Sequence, residues 1–284
     1  MIAVTGATGQ LGRLVIDSLL KTVNPHEIVA LVRDPLKAQD LGAKGVNVRQ
    51  ADYNQPETLV SALVGVQRLL LISSSEVGQR TAQHRAVIEA AKSSGVQLLA
   101  YTSMLHADKS TLGLAVEHRD TERALVESGL NYVLLRNGWY SENYTASVSP
   151  AVEHGAILGS AQEGRISSAA RKDYADAAAV VLTSEGQAGK VYELAGDESY
   201  SLSELATEVA KQSGKTVVYN DLPQEQYKAV LIGLGLPAEF AGLLADSDAA
   251  AAKGDLFDDS RQLSELLGRP TTPITQSVSA ALKH

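Results

Sequence analysis

Three evenly spaced glycines near the start of the chain have the residue types of a phosphate-binding turn. They belong to a seven-residue motif that directly follows a short apolar run: Gly6, Ala7, Thr8, Gly9, Gln10, Leu11 and Gly12. Glycine permits a tight turn at Gly6, a close backbone approach to a pyrophosphate at Gly9, and close packing of helix on strand at Gly12. The spacing is Gly-x-x-Gly-x-x-Gly rather than the common Gly-x-Gly-x-x-Gly. Because the following helix would point its N-terminus at the phosphates, the motif predicts a dinucleotide-binding turn.

The end of the second apolar run indicates which dinucleotide to expect. It reads Leu31-Val32-Arg33-Asp34. An acidic residue at this point binds the ribose hydroxyls of NAD, whereas an arginine accommodates the additional phosphate of NADP. Spacing alone does not separate Arg33 from Asp34. Arg33 stands directly at the end of the predicted strand, and we therefore favour NADP(H).

Polar residues also follow the third and fourth apolar runs. Asp52 and Tyr53 are candidates to flank the adenine, and Ser73, Ser74 and Ser75 follow the fourth run. In parallel α/β sheets, ligands bind outside the carboxyl ends of the strands. We therefore expect the three serines to line the crevice that holds the pyrophosphate and ribose.

Alternation of short apolar runs with helix-length stretches predicts the scaffold for these residues. Runs that are apolar at consecutive positions are typical of strands covered on both faces. The predicted strands are Ile2–Thr5, Glu27–Val32, Val46–Gln50, Arg68–Ile72, Gln97–Thr102 and Asn131–Leu135. The predicted helices are Gln10–Lys21, Glu57–Leu63, Arg80–Ser94 and Ala115–Ser128. The pattern predicts an α/β fold with a doubly wound parallel sheet.

The regular alternation ends after Leu135. Asn137–Pro150 mixes aromatic residues with Asn and Ser, and Ser201 with Glu204 forms a capping-box pattern at the start of a helix. Further strands or extended segments are predicted at Ala156–Ala161, Arg165–Ser168 and Lys215–Asn220, and Lys190–Leu194 is predicted as another buried strand. Further helices are predicted at Lys172–Ser184, Gln224–Leu234, Ala238–Gly254, Ser260–Leu267 and after Pro273.

Composition excludes several classes of function. The 284 residues contain 25 Lys and Arg against 33 Asp and Glu, which disfavours a nucleic-acid footprint. Cysteine is absent, histidines lack metal-ligand spacing, and no Gly-x-Ser-x-Gly motif occurs, so we expect neither a metal site nor a hydrolase triad. Ser93–Ala107 is the longest run without a charged residue and is too short and polar to span a membrane. We also see no export signal and expect a cytoplasmic protein.

Four segments resemble the NmrA-like branch of the short-chain dehydrogenase/reductase superfamily: Thr5–Gly12, Ser73–Gln79, Tyr101–Asp108 and Arg136–Tyr144. The resemblance covers nearly the whole chain and is strongest to NADPH-dependent quinone-reducing members. Members that reduce triphenylmethane dyes are more distant. It implies a Rossmann domain (residues 1–136 plus about 172–195) and a smaller C-terminal α/β lobe (about 137–171 and 196–284). The substrate is expected in the cleft between them.

The same resemblance implies further site residues. One segment should pass beside the nicotinamide: Asn137, Gly138, Trp139, Tyr140, Ser141 and Glu142. Another should help to close the site: Ala169, Ala170, Arg171, Lys172, Asp173 and Tyr174. Trp139 and Tyr140, with the nearby Tyr144, could stack on a planar quinone, and Asn143 is a candidate donor to a quinone oxygen. Packing and helix-capping roles are the alternatives for these residues.

One departure from the classical superfamily bears on the reaction. Classical members transfer a proton with a serine after the fifth strand and a Tyr-x-x-x-Lys pair on the next helix. Ser103 is present, but Leu114 and His118 stand where the pair would be. Direct hydride transfer to a quinone does not need that relay, since the hydroquinone anion can take its proton from water. The sequence therefore favours an NADPH-dependent quinone reductase. Dye reduction is one alternative, and a non-catalytic sensor of the NADPH/NADP ratio that binds a regulatory protein is another.

Overall fold

A computed structural model of the chain describes residues 1–283, which form two compact units. The first unit comprises Met1–Ala107, Val116–Asn137 and Lys172–Tyr192. The second comprises Asp108–Ala115, Gly138–Arg171 and the chain from Glu193 onward.

The strands are short and the helices vary in length. The strands are β1 (Ile2–Val4), β2 (Ile28–Val32), β3 (Asn47–Gln50), β4 (Arg68–Leu71), β5 (Leu98–Met104), β6 (Tyr132–Asn137), β7 (Ala156–Gly159), β8 (Val191–Leu194) and β9 (Val218–Asp221). The helices are α1 (Gln10–Leu19), α2 (Gln39–Ala43), α3 (Pro56–Ala62), α4 (Arg80–Ser93), α5 (Ala115–Ser128), α6 (Ser141–Thr145), α7 (Val148–His154), α8 (Arg171–Thr183), α9 (Leu202–Ser213), α10 (Gln224–Gly233), α11 (Ala238–Ala251), α12 (Gln262–Leu267) and α13 (Ile274–Ala281). Two 3-10 turns lie at Pro25–Glu27 and Pro35–Ala38.

The main sheet has the strand order of a dinucleotide-binding fold. Seven strands follow the order β3-β2-β1-β4-β5-β6-β8, and the pairings from β3 to β6 are all parallel. The order 3-2-1-4-5-6 defines the Rossmann fold, and the strand order reverses between β1 and β4. The predicted doubly wound parallel sheet is therefore confirmed. The carboxyl ends of β1, β2 and β4 are where a ligand is expected.

The central strands are buried because the sheet is covered on both faces. All five residues of β2 are buried, and Leu69, Leu70 and Leu71 of β4 have no exposed surface. Continuous apolar runs of this kind are typical of parallel strands between helix layers. The six predicted strands of this unit all form, with ends that differ by a few residues from the expected ones.

The second unit contains a small parallel sheet and most of the later helices. β7 pairs with β9, and Ile166 bridges to Tyr200. The predicted capping box is present: Ser201 Oγ accepts the Glu204 N–H, and the Glu204 carboxylate accepts the Ser201 N–H. The box satisfies two backbone donors at the start of α9, which fixes where that helix begins.

One segment contains helices that its composition did not indicate, and one expectation for local structure was wrong. The mixed segment Asn137–Pro150 contains α6 and the start of α7, although its composition gave no apolar period. Pro150 is tolerated because it lies in the first turn of α7, where its missing N–H leaves no helix bond unmade. The strand predicted as buried at Lys190–Leu194 lies at the edge of the sheet, and Val191 is exposed.

Candidate active site

The glycine motif forms a tight turn between β1 and α1 in the first unit. Gly6 has a φ of +57°, a conformation that side chains disfavour, and its carbonyl accepts the Gly9 N–H at 2.8 Å. A Cβ on Gly12 would lie 2.8 Å from Ala7 Cα and closer still to the Gly6 carbonyl. Gly12 therefore permits packing of α1 against the turn itself and not, as predicted from the sequence, against the strand.

The N-terminus of α1 offers backbone donors at this turn. The N–H of Arg13 bonds to the Gly9 carbonyl at 3.0 Å, and Gly9 provides no side chain to cap the first turn. The N–H groups of Gln10, Leu11 and Gly12 precede the first intrahelical bond and so have no partner within the helix. Such donors, together with the helix dipole, favour an anion such as a pyrophosphate.

A cavity of about 570 Å³ opens at the carboxyl ends of the central strands of the first unit. Its size is typical of sites for small ligands and cofactors. It is lined by Thr5, Gly6, Thr8, Gly9, Gln10, Leu11, Gly12, Arg13, Leu31, Val32, Arg33, Lys37, Ala51, Asp52, Tyr53, Asn54, Ile72, Ser73, Ser74, Ser75, Glu76 and Gln83. Nearly the whole glycine motif, Arg33 and the three serines are thus brought together. Ala7 is fully buried and does not line the cavity.

Arg33 and Asp34, the two candidates for binding the adenosine end of a dinucleotide, have different surroundings. Asp34 Oδ1 accepts the Leu36 N–H at 3.0 Å, so Asp34 caps a 3-10 turn and does not line the cavity. Arg33 lines the cavity with an exposed guanidinium, which pairs with Glu76 at 2.9 Å. This placement favours Arg33 as the phosphate-binding residue.

Sequence reasoning missed six polar lining residues. They are Thr5, Arg13, Lys37, Asn54, Glu76 and Gln83. Arg13 donates to the Lys37 carbonyl at 2.8 Å and also pairs with Asp40. The positions of Arg13, directly after Gly12, and of Lys37, four residues after Arg33, were the available signals.

Buried side chains hold the backbone of the serine loop that follows β4. The Ser73 N–H donates to Thr102 Oγ1, and the Ser74 N–H donates to His84 Nε2, both at 2.9 Å. Because Nε2 accepts, Nδ1 carries the ring proton and faces Thr121 Oγ1 at 2.9 Å. Burial lowers the pKa of His84 to about 3. The ring is therefore neutral at ordinary pH and keeps its acceptor for the loop.

The residues at the classical proton-transfer positions are engaged elsewhere. Ser103 Oγ donates to Glu122 Oε1 at 2.6 Å, and Arg136 holds the same carboxylate through Nε at 2.9 Å and Nη2 at 2.7 Å. His118 Nδ1 lies 2.7 Å from the Tyr101 hydroxyl, and burial lowers the pKa of His118 to about 3. The aliphatic side chain of Leu114 has no acid–base group. Ser103 and His118 are therefore each held by a different buried side chain.

In the second unit, residues 138–142 and 169–171 of the two segments implied by the family resemblance lie side by side. The Ala169 N–H donates to the Trp139 carbonyl at 3.2 Å, and the Ser141 N–H donates to the Ala169 carbonyl at 2.9 Å. The Arg171 guanidinium lies 4.8 Å from the centre of the Tyr140 ring. Main-chain pairing thus fixes the position of Tyr140 relative to Ala169 and Arg171.

The other predicted residues of these segments differ in their contacts and exposure. Glu142 accepts the Arg171 N–H at 3.0 Å, and Asn143 is exposed within α6 rather than capping it. In the first unit, Lys172 binds Asp176 and Ser18, and it does not line the cavity. The remaining predicted residues outside the cavity are Asn137, Gly138, Ala170, Asp173 and Tyr174. Asn137 Oδ1 is buried with no hydrogen-bond partner within residues 1–283, so it could accept a bond from a bound amide.

A buried carboxyl group lies beside Tyr144 in the second unit. Asp248 Oδ2 accepts the Ser160 N–H at 3.0 Å, and Oδ1 lies 3.4 Å from the Tyr144 hydroxyl. Burial raises the pKa of Asp248 to about 6. The stability that this group contributes is fully present below its usual pKa and is lost as the pH rises through about 6.

We expect Asp248→Asn to flatten this pH dependence. The native chain should lose about 3 kcal/mol of unfolding free energy between about pH 4 and about pH 8 that the variant does not lose. Thermal unfolding of both proteins across this range measures the effect. The melting temperature of the variant should increase relative to that of the native chain as the pH rises. Two curves that stay parallel would show that Asp248 ionises normally in the folded protein.

Neither a metal centre nor a membrane-spanning helix is found in the part of the chain that the structure describes. No group of three metal-ligating side chains occurs there. None of the helices there is long and apolar enough to cross a bilayer.

Known proteins resemble this chain in both sequence and structure. Quinone oxidoreductase 2 of Escherichia coli (strain K12) is 60% identical over 279 residues, which cover 98% of each chain. A crystal structure of the E. coli NADPH-dependent quinone oxidoreductase complexed with NADPH superposes with a TM-score of 0.98. It is 59% identical, and the match covers 99% of this chain and 100% of that one.

A dye-reducing enzyme is also similar along its whole length. The Citrobacter sp. triphenylmethane reductase complexed with NADP(H) is 40% identical, with a TM-score of 0.96 over 99% of this chain and 100% of that one. The model of the NmrA-like family matches residues 1–278. The chain therefore belongs to the NmrA-like family.

Proposed function

We propose that this protein is an NADPH-dependent quinone reductase. The observation that carries the proposal is the full-length similarity to Quinone oxidoreductase 2 of E. coli, at 60% identity. The crystal structure with the matching fold is a complex with NADPH. We further propose that the first unit is the cofactor domain and that the second unit supplies the substrate lobe.

The cavity residues fit NADPH by their chemistry. The glycine turn and the N-terminus of α1 would bind the pyrophosphate through backbone N–H groups. Arg33 and Lys37, which both line the cavity, would bind the adenosine phosphate. The backbone of Ser73–Ser75, held by Thr102 and His84, would form the opposite wall. NADPH, when bound, supplies the hydride.

The chain's own contribution to the chemistry is mainly positioning. A quinone that accepts a hydride becomes a hydroquinone anion, and one proton from water completes the hydroquinone. The engagement of Ser103 by Glu122 and the neutral, buried His118 support a reaction without a protein relay. We propose that Trp139 and Tyr140 stack on the quinone and that Asn143 donates to one of its oxygens.

Ser103→Ala tests the absence of a relay. Because the hydroxyl donates to Glu122 and has no role in proton transfer, we expect turnover with a quinone to stay within about threefold of the native value. Removing a working general acid–base group lowers the rate by about 100-fold or more. Steady-state kcat at saturating NADPH and quinone measures the effect. A loss of about 100-fold would mean that Ser103 takes part in proton transfer, as in the classical relay.

Tyr140→Leu, which removes the aromatic ring, and Asn143→Ala, which removes the amide, test the acceptor site. The loss of a stacking or hydrogen-bonding contact should raise the KM for the quinone about five- to tenfold, in line with one lost hydrogen bond. The KM for NADPH should not change. Unchanged quinone kinetics in both variants would leave these residues with a structural role only.

The acceptor assay tests the function itself. NADPH oxidation would be followed with a benzoquinone, a naphthoquinone and a triphenylmethane dye, each against a control without protein. Saturable turnover that prefers quinones supports the proposal. Preference for the dye would favour the second candidate, which rests on the 40% identity to the Citrobacter reductase. Tight NADPH binding without turnover on any acceptor would favour the sensor.

The coarser expectations from the sequence remain predictions. They are a cytoplasmic location, no nucleic-acid or membrane partner, and a regulatory protein partner only if the protein is a sensor.

A further inference from the structure

The Arg33–Glu76 ion pair spans the carboxyl end of β1. Arg33 directly follows β2, Glu76 lies in the loop after β4, and these two strands pair with β1 on its opposite edges. Arg33 Nη1 lies 2.9 Å from Glu76 Oε1, and both residues line the cavity. A dinucleotide that binds outside the carboxyl ends of β1, β2 and β4 therefore meets this pair.

The Glu76 carboxylate is fixed on the side away from Arg33. Its Oε2 accepts a hydrogen bond from Gln83 Nε2 at 2.8 Å. The backbone N–H of Glu76 donates to Ser74 Oγ at 3.1 Å. Gln83 is only 3% exposed, and its Nε2 also lies 3.2 Å from Asn54 Oδ1. Because Gln83 is buried and doubly bonded, Glu76 stays at the cavity wall when Arg33 moves.

We propose that Glu76 determines cofactor specificity by lowering the affinity for phosphorylated dinucleotides. The inference rests on the proposed function. A carboxylate and a phosphate both bind the guanidinium through the same N–H groups, so the phosphate must displace Glu76 or share Arg33 with it. NADH carries no such phosphate and is not subject to this competition.

Glu76→Gln removes the charge and keeps the shape and a hydrogen-bonding group. We expect the Kd for NADPH to fall about five- to tenfold, in line with the loss of one hydrogen bond that competes for the guanidinium. The Kd for NADH should stay within about twofold of the native value. Selectivity for the phosphorylated cofactor therefore rises. Titration calorimetry on the full-length protein measures both constants without any acceptor.

Two further variants show whether Glu76 acts through Arg33. Glu89→Gln removes an exposed carboxylate from α4 outside the cavity and should leave both constants unchanged. In the Arg33→Ala background, Glu76→Gln should improve NADPH binding by no more than about twofold, because the competition for the guanidinium is gone.

An unchanged or weaker NADPH affinity in Glu76→Gln would overturn the inference, as would an equal gain for NADH. A weaker affinity would mean that Glu76 orients Arg33 for the phosphate instead of competing for it. Failure of the proposed function looks different. The native protein would then bind neither NADPH nor NADH, or it would bind them without reducing a quinone. The affinities of the native chain and of Glu76→Gln therefore separate the two failures.

Discussion

Gly12→Ala is expected to weaken NADPH binding about 100-fold and to lower stability by about 1–3 kcal/mol. The added Cβ would lie 2.8 Å from Ala7 Cα and would overlap the backbone at Gly6. Both neighbours are main-chain atoms, so no flexible side chain can move aside. The turn must shift, and with it the backbone donors at the N-terminus of α1. Calorimetric titration with NADPH, together with thermal unfolding, measures both effects.

Gly42→Ala is the matched control for this change. Gly42 also lies within a helix, but a Cβ there would meet only Val48 Cγ2 at an ordinary 3.8 Å. Alanine is the better helix former, so this variant should keep its NADPH affinity and gain about 0.5–1 kcal/mol. If Gly12→Ala binds NADPH as tightly as the control does, the turn is not the pyrophosphate site.

Arg33→Ala is expected to weaken NADPH binding roughly 10- to 100-fold and to change NADH binding little. A hydrogen bond between charged groups contributes about 1.5–3 kcal/mol, and only NADPH has the phosphate that makes it. The guanidinium is exposed at the cavity and so is accessible to the ligand. The ratio of the two dissociation constants, measured for native and variant protein, reports the contribution directly.

Arg85→Ala serves as the control for loss of one positive charge. Arg85 is exposed on α4, pairs with Glu127 at 4.0 Å, and does not line the cavity. Its removal should lower both affinities slightly and equally. Equal losses of NADPH and NADH affinity in Arg33→Ala as well would mean that Arg33 does not read the phosphate.

The sheet and the glycine turn could be predicted from the sequence because local patterns determine them. Consecutive apolar residues mark strands that are buried on both faces, and all six early strands form. The motif from Gly6 to Gly12 sits at the first strand–helix turn, the one place where its spacing has a physical reason. Similarly, Ser201 and Glu204 marked the start of α9 within a few residues of sequence.

The rest of the site depends on contacts between residues distant in the chain. The choice between Arg33 and Asp34 is the exception, because Asp34 accepts the N–H of Leu36 only two residues later. Nothing near Glu76 in the sequence indicates that it meets Arg33, 43 residues earlier. Ser103 likewise matches the classical pattern by position, and only its bond to Glu122 shows that it has another role.

The most direct test of the central claim is a single-turnover experiment. Protein loaded with one equivalent of NADPH would be mixed rapidly with a naphthoquinone, and the loss of absorbance of the reduced nicotinamide would be followed. Our account predicts that the bound NADPH is oxidised in one phase, at a rate that saturates with quinone and far exceeds the reaction without protein. Bound NADPH that persists, or that reacts no faster than in free solution, would contradict it.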